Sequence, residues 1–259
     1  MRPNRPFTQQ HRPKKSLLIA GFKSIISAIE AGEQLERIYL QDTVNSPESV
    51  ELKRIAAEAE IPVSKVPFEK LRNFNVENHN GVIALKSKIK YQNLQDIISF
   101  VVENGETPLF LLLDGITDIR NIGGLARTAY CCGVHAIIIP EKGVGVLGED
   151  AITTSAGALE NMAICRVKTL HQAIEDLHLN GIKVFASEMT ATENVYDIKF
   201  QEPCAIIMGS EDKGIQPSLY KLCDEKFKIP MHKDFESLNV SVAAGMILYE
   251  AMKQRFTQS

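Results

Sequence analysis

The sequence LLLDGITDIRNIGGLARTAYCCGVHAIIIP, residues 111–140, decides the fold of this chain. It opens with an apolar run, passes through a polar loop, continues with apolar residues at helical spacing and closes with a second apolar run. This pattern predicts a strand, a helix and a second strand. Continuous apolar strands are typical of parallel sheets covered on both faces. We therefore predict a doubly wound α/β sheet that binds ligands at the carboxyl ends of its strands.

Polar side chains collect where the first of these strands ends. Asp114 and Asp118 lie in the loop, Asn121 at the helix entrance and Arg127 in the first helical turns, while glycines at 123–124 permit a close backbone approach. Two interpretations stay open at this point. The group is either a ligand site or a capped helix with a surface arginine and turn glycines.

The alternation of strand and helix continues to the end of the chain. Apolar runs predict four more strands: AICRV (163–167), KVFAS (183–187), CAIIMG (204–209) and KFKIP (226–230). Helices are predicted at 121–132, 150–160, 169–180, 216–223 and, as the last element, VSVAAGMILYEAMKQR (240–255). We expect one domain over residues 108–259.

A smaller α/β domain is predicted over residues 16–87. Helices are expected at 21–32, 46–60 and 68–74, with strands at RIYL (37–40), PVSKV (62–66) and GVIAL (81–85). Residues 88–107 are predicted to form a linker and a connecting helix. Residues 1–15 form a basic, proline-containing arm, and either a phosphate contact or a solvated tail explains its charge.

The composition is that of a soluble globular protein of 259 residues with a net charge of −3. The cysteines are odd in number and contain no C-x-x-C pair, which argues against a disulfide framework and a zinc site. They are Cys131, Cys132, Cys165, Cys204 and Cys223. Neither a membrane span nor the apolar core of a secretory signal is evident, so we expect a cytoplasmic protein with no metal.

GVGVLG, residues 143–148, fits the dinucleotide-binding pattern G-x-G-x-x-G. Its context is wrong, because it does not lie in the first strand-to-helix turn and no acidic residue closes a following strand at the expected distance. A flexible loop over the site is the better interpretation. A nicotinamide or flavin site remains the alternative.

Two later stretches combine polar residues with strand ends. AIIMGSEDKGI (205–215) places Glu211 after a strand, and KIPM (228–231) ends the next one. ESLNVSVAAG (236–245) then opens the final helix with Ser237 and Asn239. Each stretch alone also fits a solvated turn or a helix cap.

In this order the motifs closely resemble the SpoU family of RNA ribose 2′-O-methyltransferases. Asn121–Arg127 matches N-x-G-x-x-x-R, Gly209–Gly214 matches G-S-E-x-x-G, and Ile229–Ala243 matches I-P-M followed by S-L-N-V-S-x-A. NHNGVIAL (78–85) resembles the N-H-Q-G-V strand of the TrmH/RlmB-like branch, which has an N-terminal RNA-binding α/β domain. Departures from the family pattern are Ile119, Asp212 and Asn80.

The resemblance implies a C-terminal trefoil-knotted (SPOUT) parallel-sheet domain that dimerises through its first and last helices, where Ala243–Gly245 would allow close contact. It implies S-adenosylmethionine (AdoMet) as cofactor, bound by Gly209, Ile229, Met231 and Leu238. It also implies a catalytic group: Arg127, Asn121, Glu211, Ser237 and Asn239. Arg127 would stabilise the developing alkoxide. Asn121 would orient Arg127 or the ribose, and Glu211 would hold Arg127 or another basic group. Ser237 and Asn239 would position the substrate and the loop.

The resemblance leaves the substrate open. A guanosine of large-subunit ribosomal RNA is the leading expectation, because the two-domain layout resembles the TrmH/RlmB-like branch. Transfer RNA is the nearest rival within the same chemistry. A non-catalytic RNA-binding or ribosome-assembly factor is the alternative from another functional class.

Overall fold

The computed structural model describes residues 15–232 and 237–256, and the chain divides into two compact units between Ser87 and Lys88. The first unit holds helices α1 (Phe22–Glu30), α2 (Pro47–Glu58) and α3 (Phe68–Arg72), and strands β1 (Leu18–Ala20), β2 (Leu35–Gln41), β3 (Val63–Val66) and β4 (Val82–Lys86). The strand order is β1-β4-β2-β3, with β2 and β3 parallel and β4 antiparallel to both its neighbours.

Alternation along β2 gives this sheet two different faces. Ile38 and Leu40 pack into one cluster with Ile25 of α1 and Leu52 of α2. Tyr39 points to the opposite face, because successive strand residues alternate, and its ring lies 5.0 Å from that of Phe74. The two larger helices therefore cover one face only, and the segment around α3 covers the other.

The second unit is built on an eight-stranded sheet. Its strands are β5 (Tyr91–Gln92), β6 (Leu109–Leu113), β7 (Ala136–Pro140), β8 (Ala163–Val167), β9 (Lys183–Ser187), β10 (Glu193–Asn194), β11 (Cys204–Met208) and β12 (Glu225–Lys228). Its helices are α4 (Leu94–Glu103), α5 (Ile119–Cys131), α6 (Glu149–Thr154), α7 (Ala158–Asn161), α8 (Leu170–Leu179), α9 (Pro217–Tyr220) and α10 (Val240–Phe256). The order is β10-β12-β9-β11-β6-β7-β8-β5, and neighbouring strands are parallel.

Both faces of this sheet are covered, as the continuous apolar runs predict. Along β6, Leu109, Leu111 and Leu113 belong to the cluster that includes α5 and α10, whereas Phe110 and Leu112 belong to the cluster that includes α4 and α8. All five side chains are fully buried. The α/β class with a parallel sheet is thus confirmed.

Three short strands were not expected. Tyr91–Gln92, placed in the predicted linker, instead pairs with β8 as an edge strand, and the Arg166 guanidinium lies 3.9 Å from the Tyr91 ring centroid. Strand β10 also has two residues, and β1 has three. Two or three residues carry too little periodicity to predict a strand, so tertiary pairing decides them. The predicted basic arm lies outside the described residues apart from Lys15.

Candidate active site

Three predicted residues from distant parts of the sequence meet above the carboxyl ends of the central strands. Asn121 Nδ2 donates to Glu211 Oε1 at 3.2 Å, and Asn239 Nδ2 lies 3.0 Å from Asn121 Oδ1. Asn239 Nδ2 also donates to Glu211 Oε1, which accepts the Val240 amide as well. One carboxylate oxygen therefore ties together the starts of α5 and α10, and we call these three residues the amide–carboxylate cluster.

Local structure fixes each member of the cluster. Asp118 caps α5 by accepting from the Arg120 amide, which places Asn121 in the first helical turn. Asn239 Oδ1 accepts from the Ser241 and Val242 amides, so Asn239 caps α10 while its Nδ2 faces the cluster. Helix capping and site geometry thus use opposite ends of one side chain.

The loop that carries Glu211 turns back on itself after β11. Ser210 and Gly214 form an antiparallel bridge, and the Gly214 amide donates to the Ser210 carbonyl at 2.8 Å. A Cβ on Gly209 would lie 2.1 Å from the Gly214 carbonyl carbon, so closure of this loop requires glycine. The expectation that this glycine serves ligand approach is therefore incomplete, because the loop itself needs it.

Asp114 anchors the same loop from the neighbouring strand end. It is 2% exposed, and its two oxygens accept the Gln216 amide and the Gln216 side-chain amide, both at 2.7 Å. In the sequence, Asp114 was one of the polar residues in the loop after the first strand. The pattern that could have indicated its role is a single acid directly after a fully apolar strand, because a buried carboxylate there requires hydrogen-bond donors.

A cleft of about 580 Å³ opens beside the cluster. It is lined by the segment after β6, by the Glu211 loop and by the start of α10: Asp114–Asp118, Asn121, Ser210–Gly214, Gln216 and Val240. Its volume lies within the usual range for a small-molecule site. Its position at the strand ends is the one that the doubly wound sheet predicts.

Arg127 lies apart from the amide–carboxylate cluster. Successive residues of an α-helix are about 100° apart, so Arg127 is about 120° around α5 from Asn121. It is exposed, and within the described part of the chain it makes no hydrogen bond or ion pair. Within one described chain, Glu211 binds the two asparagines and makes no hydrogen bond to Arg127. The roles expected of Asn121 and Glu211 towards Arg127 stay predictions.

The residues predicted to hold AdoMet lie near the ends of β11 and β12. Ile229 is 9% exposed, and half-buried Leu238 packs against the same apolar cluster. Met231 is half-buried and Ser237 is exposed. Partly exposed apolar walls beside main-chain loops fit a cofactor with an apolar body and few polar anchors. Ser237 makes no hydrogen bond among the described residues.

The glycine-rich loop 143–148 is packed, which corrects the expectation of a flexible loop. Val144 and Leu147 are buried in the core cluster that includes α5. A Cβ on Gly145 would lie 2.6 Å from the Thr117 carbonyl oxygen. The loop therefore supports the wall of the cleft at Ile116 and Thr117.

Comparison with known families matches both units. Residues 18–92 match the model described as RNA 2′-O ribose methyltransferase substrate binding, and residues 108–249 match the SpoU rRNA methylase family. The chain belongs to the SpoU rRNA methylase family. It is thus an AdoMet-dependent RNA (ribose-2′-O)-methyltransferase, and the nicotinamide alternative falls away.

Relatives of this SpoU methyltransferase extend over nearly the whole chain. YacO of Bacillus subtilis, assigned to the TrmH family of tRNA/rRNA methyltransferases, is 30% identical over 237 residues, covering 92% of this chain and 95% of YacO. The 23S rRNA (guanosine-2′-O-)-methyltransferase RlmB of Photobacterium profundum is 38% identical over 178 residues, covering 69% and 72%.

Solved structures show the same fold. The SpoU methyltransferase AviRb from Streptomyces viridochromogenes, in complex with AdoMet, superposes with a TM-score of 0.60 at 24% identity, covering 93% of this chain and 90% of AviRb.

Among residues 15–232 and 237–256, no His, Cys, Asp and Glu side chains group as a metal site. The helices in those ranges include none long and apolar enough to cross a membrane.

Proposed function

We propose that this enzyme transfers a methyl group from AdoMet to the ribose 2′-hydroxyl of a guanosine in large-subunit ribosomal RNA. The observation that carries the catalytic part is the amide–carboxylate cluster at the mouth of the cleft. The RlmB relative, at 38% identity, supports the ribosomal guanosine. We place the enzyme in the cytoplasm, where such an RNA would be methylated.

The chemistry requires activation of a weak nucleophile. AdoMet, when bound, supplies a methyl group activated by its sulfonium. The chain must then orient the ribose oxygen and ease loss of its proton. We assign orientation of the ribose to Asn121 and Asn239, whose amides Glu211 holds in place, and positioning of the substrate to Ser237. The apolar walls of Ile229, Met231 and Leu238, with the loop at Gly209, hold the cofactor.

Arg127 supplies positive charge for the developing alkoxide in this proposal. A guanidinium is not deprotonated in proteins, so it acts as an electrostatic stabiliser and not as a base. Its exposed position on α5 means that it meets the reacting oxygen only when a second molecule covers that face. We assign this role to a partner protomer in a homodimer.

The surface beside Arg127 supports that dimer. Helix α10 buries one face against α5, where Ala244 is fully buried and Gly245 faces Thr128, so its small residues serve packing within the chain. Its other face exposes Val242, Met246 and Tyr249. A helix that is apolar on both sides is normally buried. In the proposed dimer, the same stripe of α10 in the second protomer covers this one.

The trefoil knot is part of the same proposal. The likeness to solved SpoU structures supports it. Stretching the chain by its termini in a single-molecule force experiment checks it, because a knotted chain tightens and stays shorter than its full contour length. Extension to the full contour length would contradict the knot.

Methylation assays test the proposed substrate. Purified enzyme with labelled AdoMet is offered 23S ribosomal RNA or transfer RNA, and ribose methylation is located by resistance to alkaline cleavage. We expect label in 23S ribosomal RNA at a guanosine. Label confined to transfer RNA favours the rival that the name of YacO suggests, whereas AdoMet binding without transfer to any RNA would favour a non-catalytic factor.

A further inference from the structure

The first unit matches a substrate-binding family, yet its own contact with RNA has to be located on its surface. One face of its sheet is covered by α1 and α2. Among described residues 15–87, Phe68 is an exposed aromatic ring, at 47%. The other aromatic side chains of that range, Phe22, Tyr39 and Phe74, are buried or half-buried. An apolar ring held in water at this position has no evident structural role.

The Phe68 ring does not stand alone. The His79 ring lies 6.0 Å from it at an interplanar angle of 36°. His79 is fixed in place, because its Nδ1 accepts the Gly81 amide at 3.1 Å and its carbonyl accepts the Val82 amide at 2.9 Å. In the neutral ring this leaves Nε2 protonated, so it can donate a hydrogen bond. The pair offers a stacking surface with a donor at its edge.

The chain segment that carries His79 is rich in asparagine. The segment 73–80 carries four exposed asparagines whose side chains make no hydrogen bond within the described residues: Asn73, Asn75, Asn78 and Asn80. Three of them, at φ of 55°, 55° and 48°, hold the left-handed backbone conformation. Asparagine tolerates that conformation better than most residues, and its amide offers both a donor and an acceptor to a base edge.

Cations flank the same surface. Lys70 of α3 is exposed, and its ammonium lies over the Tyr39 ring at 5.7 Å from the ring centroid. Arg72 is paired only loosely with Glu69, at 3.8 Å, with both side chains about three-quarters exposed. Ion pairs this exposed are weak, so these charges remain available to phosphates.

We propose that Phe68, His79 and the asparagine segment 73–80 form a subsite for an unpaired RNA base, with Lys70 and Arg72 contacting its phosphates. Single-stranded nucleotides are recognised by stacking on aromatic rings and by hydrogen bonds to base edges. A duplex would present neither free base faces nor open edges to this surface. The inference rests on the proposed function for its substrate class, RNA, and adds the nucleotide form that the first unit selects.

The experiment uses the full chain and a short, unstructured, fluorescein-labelled single-stranded RNA, with the same strand annealed to its complement for comparison. Anisotropy titrations are run for wild type, Phe68→Ala, Phe68→Tyr and the control Val50→Ala. Val50 is 61% exposed on α2, on the other side of the sheet. Circular dichroism and AdoMet calorimetry confirm that each variant is folded.

We expect Phe68→Ala to weaken single-strand binding roughly 5- to 100-fold, which is the contribution of one stacked base. Phe68→Tyr keeps the ring and should bind like wild type, as should Val50→Ala. Equal affinity of wild type and Phe68→Ala for the single strand, or tighter binding of the duplex than of the single strand, would overturn the subsite.

A methyl-transfer assay separates this inference from the proposed function. If the subsite is correct, Phe68→Ala raises the KM for ribosomal RNA and leaves kcat near wild type. If wild type methylates RNA and Phe68→Ala has an unchanged KM, the subsite is contradicted and the proposed function is not. A wild-type enzyme that binds the single strand through Phe68 yet methylates no RNA sinks the proposed function and leaves the subsite standing.

Discussion

The exposed position of Arg127 and the shape of its guanidinium together bear on its proposed role. Its guanidinium faces solvent on α5, outside the amide–carboxylate cluster that Asn121, Glu211 and Asn239 build. A planar guanidinium can donate two parallel hydrogen bonds to two oxygens of a phosphate, whereas an ammonium acts as a point charge. In the proposed role, Arg127 would therefore act through the shape of its guanidinium as well as through its charge.

Replacing Arg127 by lysine tests that dependence. We expect Arg127→Lys to lower kcat roughly 100-fold or more, the usual loss when one electrostatic stabiliser is removed. AdoMet affinity, measured by calorimetry, should stay unchanged. Arg120 is a matched control, since it lies on the same helix and is 86% exposed, so Arg120→Lys should keep full activity. Near-normal turnover of Arg127→Lys would refute the role.

The cysteines give a second prediction at this scale. Burial raises the pKa of Cys165 to about 12 and those of Cys204 and Cys223 to about 11. The native state therefore holds these protons more tightly than the unfolded chain, whose thiols titrate near about 8.5. This stabilisation is complete below that pH and is lost as the pH rises towards the folded values.

Urea unfolding at neutral pH and near pH 10 measures that loss. We expect the free energy of unfolding to be lower near pH 10 for wild type, and the decline to be shallower for Cys165→Ala, which removes the group with the largest shift. Alkylation provides the control, because exposed Cys131 should react in the native state and Cys165 only after unfolding. An identical decline in both proteins would exclude the buried thiol as its cause.

At the scale of elements, the site is a junction between strand ends and helix starts. Asp114 extends from the end of β6 and holds Gln216 on the far side of the Glu211 loop. Glu211 in turn binds the start of α10 through Asn239 and the Val240 amide. A change at one strand end should therefore reach the cofactor loops through these bonds.

Asp114→Asn tests this connection. Asparagine can still accept the Gln216 main-chain amide, but it replaces two charge-assisted hydrogen bonds by neutral ones, so we expect the free energy of unfolding to fall by about 1–2 kcal/mol. AdoMet affinity should fall as well, because the Glu211 loop is held less firmly. Calorimetry and denaturant titration measure the two effects.

Asp118→Asn is the matched control for that change. Asp118 caps α5 by accepting the Arg120 amide at 2.8 Å, and it is exposed. Asparagine caps helices as well as aspartate does, so stability and cofactor binding should stay near wild type. Loss of AdoMet binding in Asp118→Asn but not in Asp114→Asn would reverse the assignment.

At the scale of the whole molecule, the exposed stripe of α10 and the exposed cation of α5 lie on two helices that pack against each other. The stripe consists of Val242, Met246 and Tyr249, and Arg127 lies on the neighbouring helix. Burial of this surface in a dimer would give Arg127 the partner that it lacks among the described residues. Quaternary structure would then complete the active site.

Met246→Glu tests the dimer. A charge in the middle of the stripe that the dimer would bury should produce a monomer, measured by light scattering. Methyl transfer should fall with the loss of the dimer. Phe100 is a control, because it is exposed on α4 at 64% and lies outside the stripe. Phe100→Glu should therefore remain dimeric. A fully active Met246→Glu monomer would contradict the proposal.

A mixing experiment tests whether Arg127 acts across the dimer. Arg127→Ala and Glu211→Ala are each expected to be inactive. In a mixed dimer, one site would combine an intact cluster with an intact arginine from the partner, so part of the activity should return. Absence of recovery after confirmed exchange of protomers would place Arg127 and Glu211 of one chain in the same site.

The main helices and strands can be predicted from the amino-acid sequence, because their signals are local. Apolar runs predicted the six central strands, and the helix predicted over 46–60 corresponds to α2, which begins with a capping box at Ser46. Motif order also indicated the family. The short strands β1, β5 and β10 escaped prediction, since pairing partners far along the chain create them.

Which of the predicted residues contact each other depends on tertiary packing. It brought Asn121, Glu211 and Asn239 together, left Arg127 on the surface, and used Asp114 to fix the Glu211 loop. These outcomes depend on distances between segments about 100 residues apart in sequence, and no local periodicity encodes such distances. The packing of α5 and α10 on one sheet determines these distances. The separation of Arg127 from the amide–carboxylate cluster is therefore visible only in the folded chain.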